Sequence, residues 1–275
     1  MSKLQQTIRL ALTISFCLGL FSCDNDSFIQ STGKDGRPSA FETENGVTIG
    51  LFYQGTQLIT MKNKDGSSTG FTYGDRSILR VFFEPPHGMA DGHGDISFIQ
   101  DGENKIRIES WGEPSSVRNI KEMELDDQAR PVKITNLGYF QWTEKGEEKL
   151  GEGKEFALFS YDPTTGLLSR IDEHRLSDGQ LQTSYSFSYE NSPGIMSQVD
   201  LPAWFSIYWG SRYIGGNNSV DLQFLNYKNN LQEIKTNPQE EDATLLSLHY
   251  TYNKSDYPVT VSDQKEPKNK IRIQY

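Results

Sequence analysis

Tyr161-Asp162-Pro163-Thr164-Thr165-Gly166-Leu167-Leu168-Ser169-Arg170-Ile171 has the layout of a hairpin tip. An aromatic residue closes an incoming strand and an aspartate can bond its own backbone. A turn then ends in glycine, and a later apolar pair points one way from the outgoing strand. Three other segments repeat this layout loosely: Leu125 to Ile134, Tyr189 to Val199 and Tyr252 to Val261. Each predicts one hairpin. Stacking such units buries a continuous face that no single hairpin can bury.

The pattern extends on both sides. From about Gly46 to Tyr275 apolar and polar residues alternate in short runs, the period of half-buried strands: Ile78 to Phe83, Ile96 to Ile99, Ile106 to Ile108, Phe156 to Tyr161, Tyr185 to Tyr189, Leu246 to Tyr252 and Ile271 to Tyr275. Lys64-Asp65-Gly66, Gln100-Asp101-Gly102, Ser177-Asp178-Gly179 and Gly215-Gly216-Asn217 supply residues that tolerate positive φ at the tips. Long helical patterns are absent. The expected fold is all-β, an antiparallel meander of hairpins forming a strongly curved or barrel-like sheet with one short helical or aromatic insertion, in a single domain over 46–275. A membrane-spanning barrel is disfavoured: its strands need about nine to eleven residues with an uninterrupted apolar outer face. These runs are shorter, and Arg80, Lys105 and Arg107 interrupt them.

The N-terminus differs in character. Lys3 and Arg9 precede an apolar stretch, Leu10 to Leu20, too short to cross a bilayer and suited to a secretory signal. It ends in Leu20-Phe21-Ser22-Cys23, which resembles the bacterial lipobox. That resemblance implies lipidation of Cys23, cleavage of residues 1–22, and anchoring of the mature protein to a membrane of the cell envelope. Residues 23–45 open on Asp24-Asn25-Asp26 and continue as a Gly, Ser, Thr and Pro mixture, read as a flexible tether. The acidic start resembles signals that send some gut-bacterial lipoproteins to the outer face of the outer membrane. In other bacteria an Asp after the lipidated Cys retains the protein at the inner membrane, so the leaflet stays open.

The Tyr-Asp-x-x-x-Gly-Leu-Leu-x-x-Ile form of 161–171 resembles the tyrosine-aspartate repeat. Together with the lipobox it is similar to a family of gut-bacterial lipoproteins of unknown function described as having a porin-like β fold. The resemblance spans about Glu122 to Tyr275; Leu125 replaces the tyrosine in the first unit, and Pro131 and Pro258 replace the turn glycine in two. It implies a meandering, curved or closed sheet and carries over no catalytic residues.

Charge and cysteine content narrow the function. The chain has 37 acidic against 27 basic residues and a formal net charge of −10. That argues against nucleic acid, whose phosphates need clustered Lys and Arg, and against electrostatic docking on anionic lipid. Cys17 lies in the signal segment and Cys23 would carry lipid, which leaves no pair for a disulfide.

Two clusters are candidate sites. The stretch from Leu201 is the most aromatic in the chain, with Trp204, Phe205, Tyr208, Trp209 and Tyr213. As a short helix, Asp200 would cap it, Pro202 would sit in the first turn, and Trp204, Ile207 and Tyr208 would share a face. The segment Leu201 to Asn217 would then plug or line the concave side of the sheet. Trp204, Tyr208, Trp209 and Tyr213 either fill the core or offer flat faces to sugar rings. The second cluster holds His87, Asp91, His93 and Asp95, three of which would point to one side of an extended chain and offer ligands to a zinc or calcium ion. Its glycines favour a solvated loop instead. No Gly-x-Ser-x-Gly motif, free mature cysteine or phosphate-binding loop occurs. The sequence therefore points to a noncatalytic, lipid-anchored protein without cofactor that binds a ligand, with glycan favoured. The alternatives are a structural or assembly component of the envelope with a protein partner and, less so, a metal-dependent hydrolase centred on His87 and His93.

Overall fold

The computed structural model describes residues 29–30, 35–74, 77–86, 94–112, 117–214, 220–237, 243–266 and 269–275. The alternating runs form antiparallel strands: β1 (Ile29–Gln30), β2 (Ala40–Thr43), β3 (Thr48–Gln54), β4 (Gln57–Asn63), β5 (Ser68–Tyr73), β6 (Ile78–Glu84), β7 (Gly94–Gln100), β8 (Lys105–Gly112), β9 (Val117–Leu125), β10 (Pro131–Thr143), β11 (Gly146–Glu152), β12 (Glu155–Tyr161), β13 (Leu168–Arg175), β14 (Leu181–Pro193), β15 (Asn229–Thr236), β16 (Thr244–Tyr252), β17 (Pro258–Asp263) and β18 (Lys270–Gln274). All but β1 and β11 close into a 16-strand hydrogen-bonded ring. The first half of β10 passes the ladder to β12 through Ile134↔Ala157, and β18 returns it to β2 through Ile273↔Phe41. Closure leaves the ring no free edge. The fold is the all-β, barrel-like sheet that the alternation predicts.

Three local features add to the simple meander. Residues 23–45 were read as tether, yet Ala40–Thr43 is the strand that completes the ring, with Ala40 and Phe41 buried. Phe41 supplies the apolar anchor that the surrounding small and polar residues hide. The acidic run 144–155 contains β11, which pairs with the second half of β10 beyond the ring. Of the four repeat units, three are hairpins whose Asp or Asn bonds the backbone of its own turn. Asp126 Oδ1 accepts from the N–H groups of Gln128 and Arg130, Asp162 Oδ1 from Thr164 and Thr165, and Asn253 Oδ1 from Ser255 and Tyr257. The unit at Tyr189 is not a hairpin. There β14 leaves the sheet, and Glu190 accepts a hydrogen bond from the Tyr252 hydroxyl instead of bonding its own backbone.

The strand register sorts side chains into an apolar inner face and a polar outer one. On β8 and β9, Ile106 faces Met123 and Ile108 faces Lys121 on the inside, while Arg107 faces Glu122 on the outside. Outward charges pair. Lys105 reaches Glu122 at 2.9 Å, and Arg107 and Arg118 hold the buried Glu109 between them while both bond Glu147 of β11, at 2.7 and 2.9 Å. This four-residue network fastens the β10–β11 hairpin to the outer wall. The charged outward row of β8 and β9 is the opposite of the apolar band a spanning barrel turns to lipid.

The bore is filled from within. Between β14 and β15 the chain enters the ring, forms the helix α1 (Ala203–Ser211), and returns as a 3-10 helix, Asp221–Asn226. Every α1 residue from Trp204 to Gly210 is buried, as expected of a helix apolar on all sides. Asp200 does not cap it; the N-cap is Pro202, and no side chain bonds the first turn. Asp200 instead donates its backbone N–H to Thr56 O at 2.9 Å, which ties the entry of the plug to the β3–β4 tip. The Trp209 indole donates to Asp221 at 2.8 Å, and a Cβ on Gly210 would stand 2.6 Å from Leu225 Cγ, so the two limbs of the plug touch. Its base is a buried amide network. Asn230 Oδ1 accepts from Ile195 N at 3.1 Å, Asn230 Nδ2 donates to Pro193 O at 3.0 Å, and Asn226 Nδ2 donates to Gln223 Oε1 at 2.7 Å. Such a network satisfies the polar groups that the turn carries into an apolar bore.

Candidate functional site

The repeat turns and the plug entry lie at one end of the ring. At the other end β12 begins and β13 finishes, and there the inner wall changes character. Deep in the bore Phe159 faces Ile171, which faces Tyr185; nearer the rim Ala157 faces Glu173, and Lys121 faces Asn136. Parity places Glu155, two residues before Ala157, on the same inner side. The end of α1 adds Tyr208, Ser211 and Arg212. These groups line one concavity of about 650 Å³, counting its open mouth. Its floor is apolar, from Ile134, Phe159 and Ile171, and its rim is polar. Glu155 and Glu173 also line an adjoining hollow bounded by His174, Arg175 and Gln182.

The environment perturbs several of these groups. Burial pushes the Lys121 amine below its usual range; Glu155 and Glu173 oppose that and Arg212 adds to it. Burial, then the neighbouring Glu155, raises the Glu173 carboxyl above its usual range against the pull of Lys121. Tyr185 is raised by burial and by Glu173. Arg212 lies over the rings of its own segment, 5.6 Å from Tyr208, 5.0 Å from Trp209 and 5.7 Å from Tyr213. The site thus offers two cations, two carboxylates, an amide and the Tyr185 ring above an apolar floor.

Of the aromatic residues singled out from the sequence, Tyr208 reaches this cavity. Trp204 and Trp209 do not: they are 5 % and 0 % exposed, with Trp204 packed on Phe98 at 5.1 Å and Trp209 stacked on Phe205 at 5.5 Å and Phe83 at 6.0 Å. They are core, because a wholly apolar helix is driven into the bore, and they present no free face for stacking. Tyr213 is half-buried beside Trp209; burial, then Asp221, pushes its hydroxyl up to about 12. His87, Asp91 and His93 lie outside the described residues, as does Cys23. Asp95 is buried and engaged by the Arg80 guanidinium and the Ser97 hydroxyl. Among the described residues no group of three or more His, Cys, Asp or Glu is placed to hold a metal ion. His174 stacks on Phe156 at 4.9 Å and donates to Gly179 O at 2.9 Å.

The sequence does not single out Lys121, Glu155, Glu173, Tyr185 and Arg212 as a site. A faint signal existed: Glu173 follows the inward Ile171 by two, and Lys121 precedes the inward Met123 by two. Each is thus a charge on an apolar face.

No family model and no curated protein matches the sequence. Among solved structures the chain is similar to a porin-like protein from Bacteroides uniformis, with TM-score 0.38 and 13 % identity over 83 % of this chain and 90 % of that one. It is also similar to a porin-like protein from Bacteroides vulgatus, with TM-score 0.33 and 12 % identity over 87 % and 98 %. These likenesses concern the path of the strands alone.

Proposed function

We propose that this protein is a noncatalytic, lipid-anchored binding protein of the cell envelope, held at the outer membrane through Cys23, that captures glycan at the mouth of its barrel. The supporting observation is the group of polar residues, Lys121, Asn136, Glu155, Glu173 and Arg212, set above an apolar floor in one cavity. Carboxylates and amides accept and donate to sugar hydroxyls, and the face of Tyr185 suits the C–H face of a pyranose. Chain direction adds support. β2 starts at Ala40, paired with Gln274, and β1 lies on Tyr53 and Phe52, so the N-terminal segment arrives at the turn end of the ring. An anchor there points the mouth away from the membrane. The test is a glycan array probed with the chain from Cys23 onward, beside a Tyr185→Ala variant and mass spectrometry of the mature N-terminus. Saccharide binding that the variant loses, on an acylated Cys23, is the expected result. Binding untouched by the variant removes the mouth as the site, and an unacylated start removes the anchor.

The β10–β11 hairpin favours a second reading, a contact with an envelope protein, because it stands beyond the ring and leaves Trp142 68 % and Leu150 50 % exposed. Photo-crosslinking from position 142 in cells would trap a defined protein partner if this hairpin is an assembly contact, and none if it is not.

A further inference from the structure

Several charges of the barrel wall are paired: Arg130 with Asp126 at 2.6 Å, Arg170 with Asp172 at 2.7 Å, Arg107 and Arg118 with Glu109 and Glu147. In the mouth Lys121, Arg212, Glu155 and Glu173 share one cavity. They feel one another's charge, yet among the described residues none of the four forms an ion pair or a side-chain hydrogen bond. Arg212, exposed at the rim, lies over aromatic rings, and its N–H groups meet no acceptor among the described residues. Lys121 is half-buried on an apolar strand face, where an uncompensated ammonium is costly.

From this placement, and resting on the glycan reading above, we propose that the ligand is an acidic saccharide, a sugar bearing a carboxylate. The carboxylate docks between Lys121 and Arg212. The sugar hydroxyls donate to Glu155 and Glu173, and the ring packs on Tyr185 and the floor of Ile134, Phe159 and Ile171. The two cations ask for an anion, and the carboxylates opposite make a singly charged group with adjacent hydroxyl donors a better match than sulfate or phosphate. A neutral sugar leaves both cations unanswered. Anion binding beside Lys121 also returns its amine toward the ordinary lysine range.

The experiment is isothermal titration of the protein with a panel of uronic-acid oligosaccharides and their carboxyl-reduced, neutral counterparts, with inorganic sulfate and a free amino acid as further arms. Lys121→Met, Arg212→Met and Lys121→Arg are titrated beside the parent, each checked for an unchanged far-UV spectrum and melting temperature. At least one uronate should bind, with its reduced counterpart about tenfold or more weaker. Each methionine variant should lose about tenfold to a hundredfold, as expected for one charge-assisted hydrogen bond, and Lys121→Arg should retain most of the affinity. The Lys121 amine, followed by NMR, should titrate higher in the complex than in the free protein. Equal binding of acidic and neutral sugars, lost in Tyr185→Ala and indifferent to Lys121→Met, overturns the acidic assignment and leaves the glycan reading standing. Failure of every saccharide, or tighter capture of sulfate or the amino acid, overturns both.

Discussion

Gly194 tests whether the plug is seated as a rigid part of the barrel. It stands where β14 leaves the wall for the bore, and its φ is not in the left-handed region. By the usual argument Gly→Ala there would stabilise by about 0.4–1 kcal/mol through the unfolded chain. The packing predicts the opposite sign. A Cβ at Gly194 would lie 2.6 Å from the carbonyl carbon of Asn226, closer still to its oxygen, and 3.0 Å from Asn229 O. An ordinary carbon–oxygen contact is about 3.3 Å or longer. The obstacles are backbone atoms, so no side-chain rotation relieves them and the entry segment must move away from the 3-10 limb. That movement stretches Met196 N–H to Asn226 O, now 3.0 Å, and Gly194 N–H to Lys228 O, now 2.8 Å. Two buried hydrogen bonds weakened at about 1–3 kcal/mol each, less the unfolded-state gain, give a net loss of about 3 kcal/mol. In a chain of this size that is roughly 6–12 °C in Tm. Gly179→Ala is the matched control. It has φ +71° and nothing within 4 Å, so only left-handed strain of about 1 kcal/mol applies. Urea denaturation and thermal melts of both variants decide the matter. If Gly194→Ala melts within about 2 °C of the parent, or above Gly179→Ala, the plug is not held as described.

Three further outcomes follow from the same structure. Asn230→Ala leaves Ile195 N–H and Pro193 O at the plug base without their side-chain partner and should cost about 2–4 kcal/mol by urea titration; a change below about 0.5 kcal/mol would show the network to be incidental. Glu173 has its folded pKa raised, so its ionised form destabilises the ligand-free barrel at neutral pH, and the penalty fades as pH falls through the folded value toward the ordinary 4.5. Glu173→Gln should therefore raise Tm at pH 7 and gain nothing at pH 4; a gain of equal size at both would mean that charge is not the cause. Finally, because the outward rows of β8 and β9 are charged and paired, the chain starting at Asp24 should purify without detergent as a β-rich monomer or oligomer by circular dichroism. A strict detergent requirement would contradict the assignment of inner and outer faces.

Much of this protein was legible residue by residue. The two-residue alternation marks strands because side chains on a pleated chain point alternately to opposite faces, and the Asx turns at Asp126, Asp162 and Asn253 are local hydrogen bonds that short stretches specify alone. Gly66, Gly102 and Gly179 take positive φ at the tips where the turn residues stand. The aromatic helix was legible as an insertion, and its all-round apolarity sends it inside. What the chain cannot reveal locally is which strand meets which, and at what register. β2 is four residues long among polar neighbours, and it becomes a strand only because β18 and β3 offer their edges to it. The Tyr189 unit has the repeat layout but opens into the plug, because the bore needs filling there. Lys121, Glu155, Glu173 and Arg212 come from four separate stretches, and each is individually an ordinary charged residue. Parity assigns three of them to the inner side of their strands, but only ring closure and the cross-strand register of β9, β10, β12 and β13 bring those three to one rim. The plug's length then sets Arg212 beside them. Periodicity is encoded by neighbours along the chain, whereas a binding site is encoded by distance through the bore.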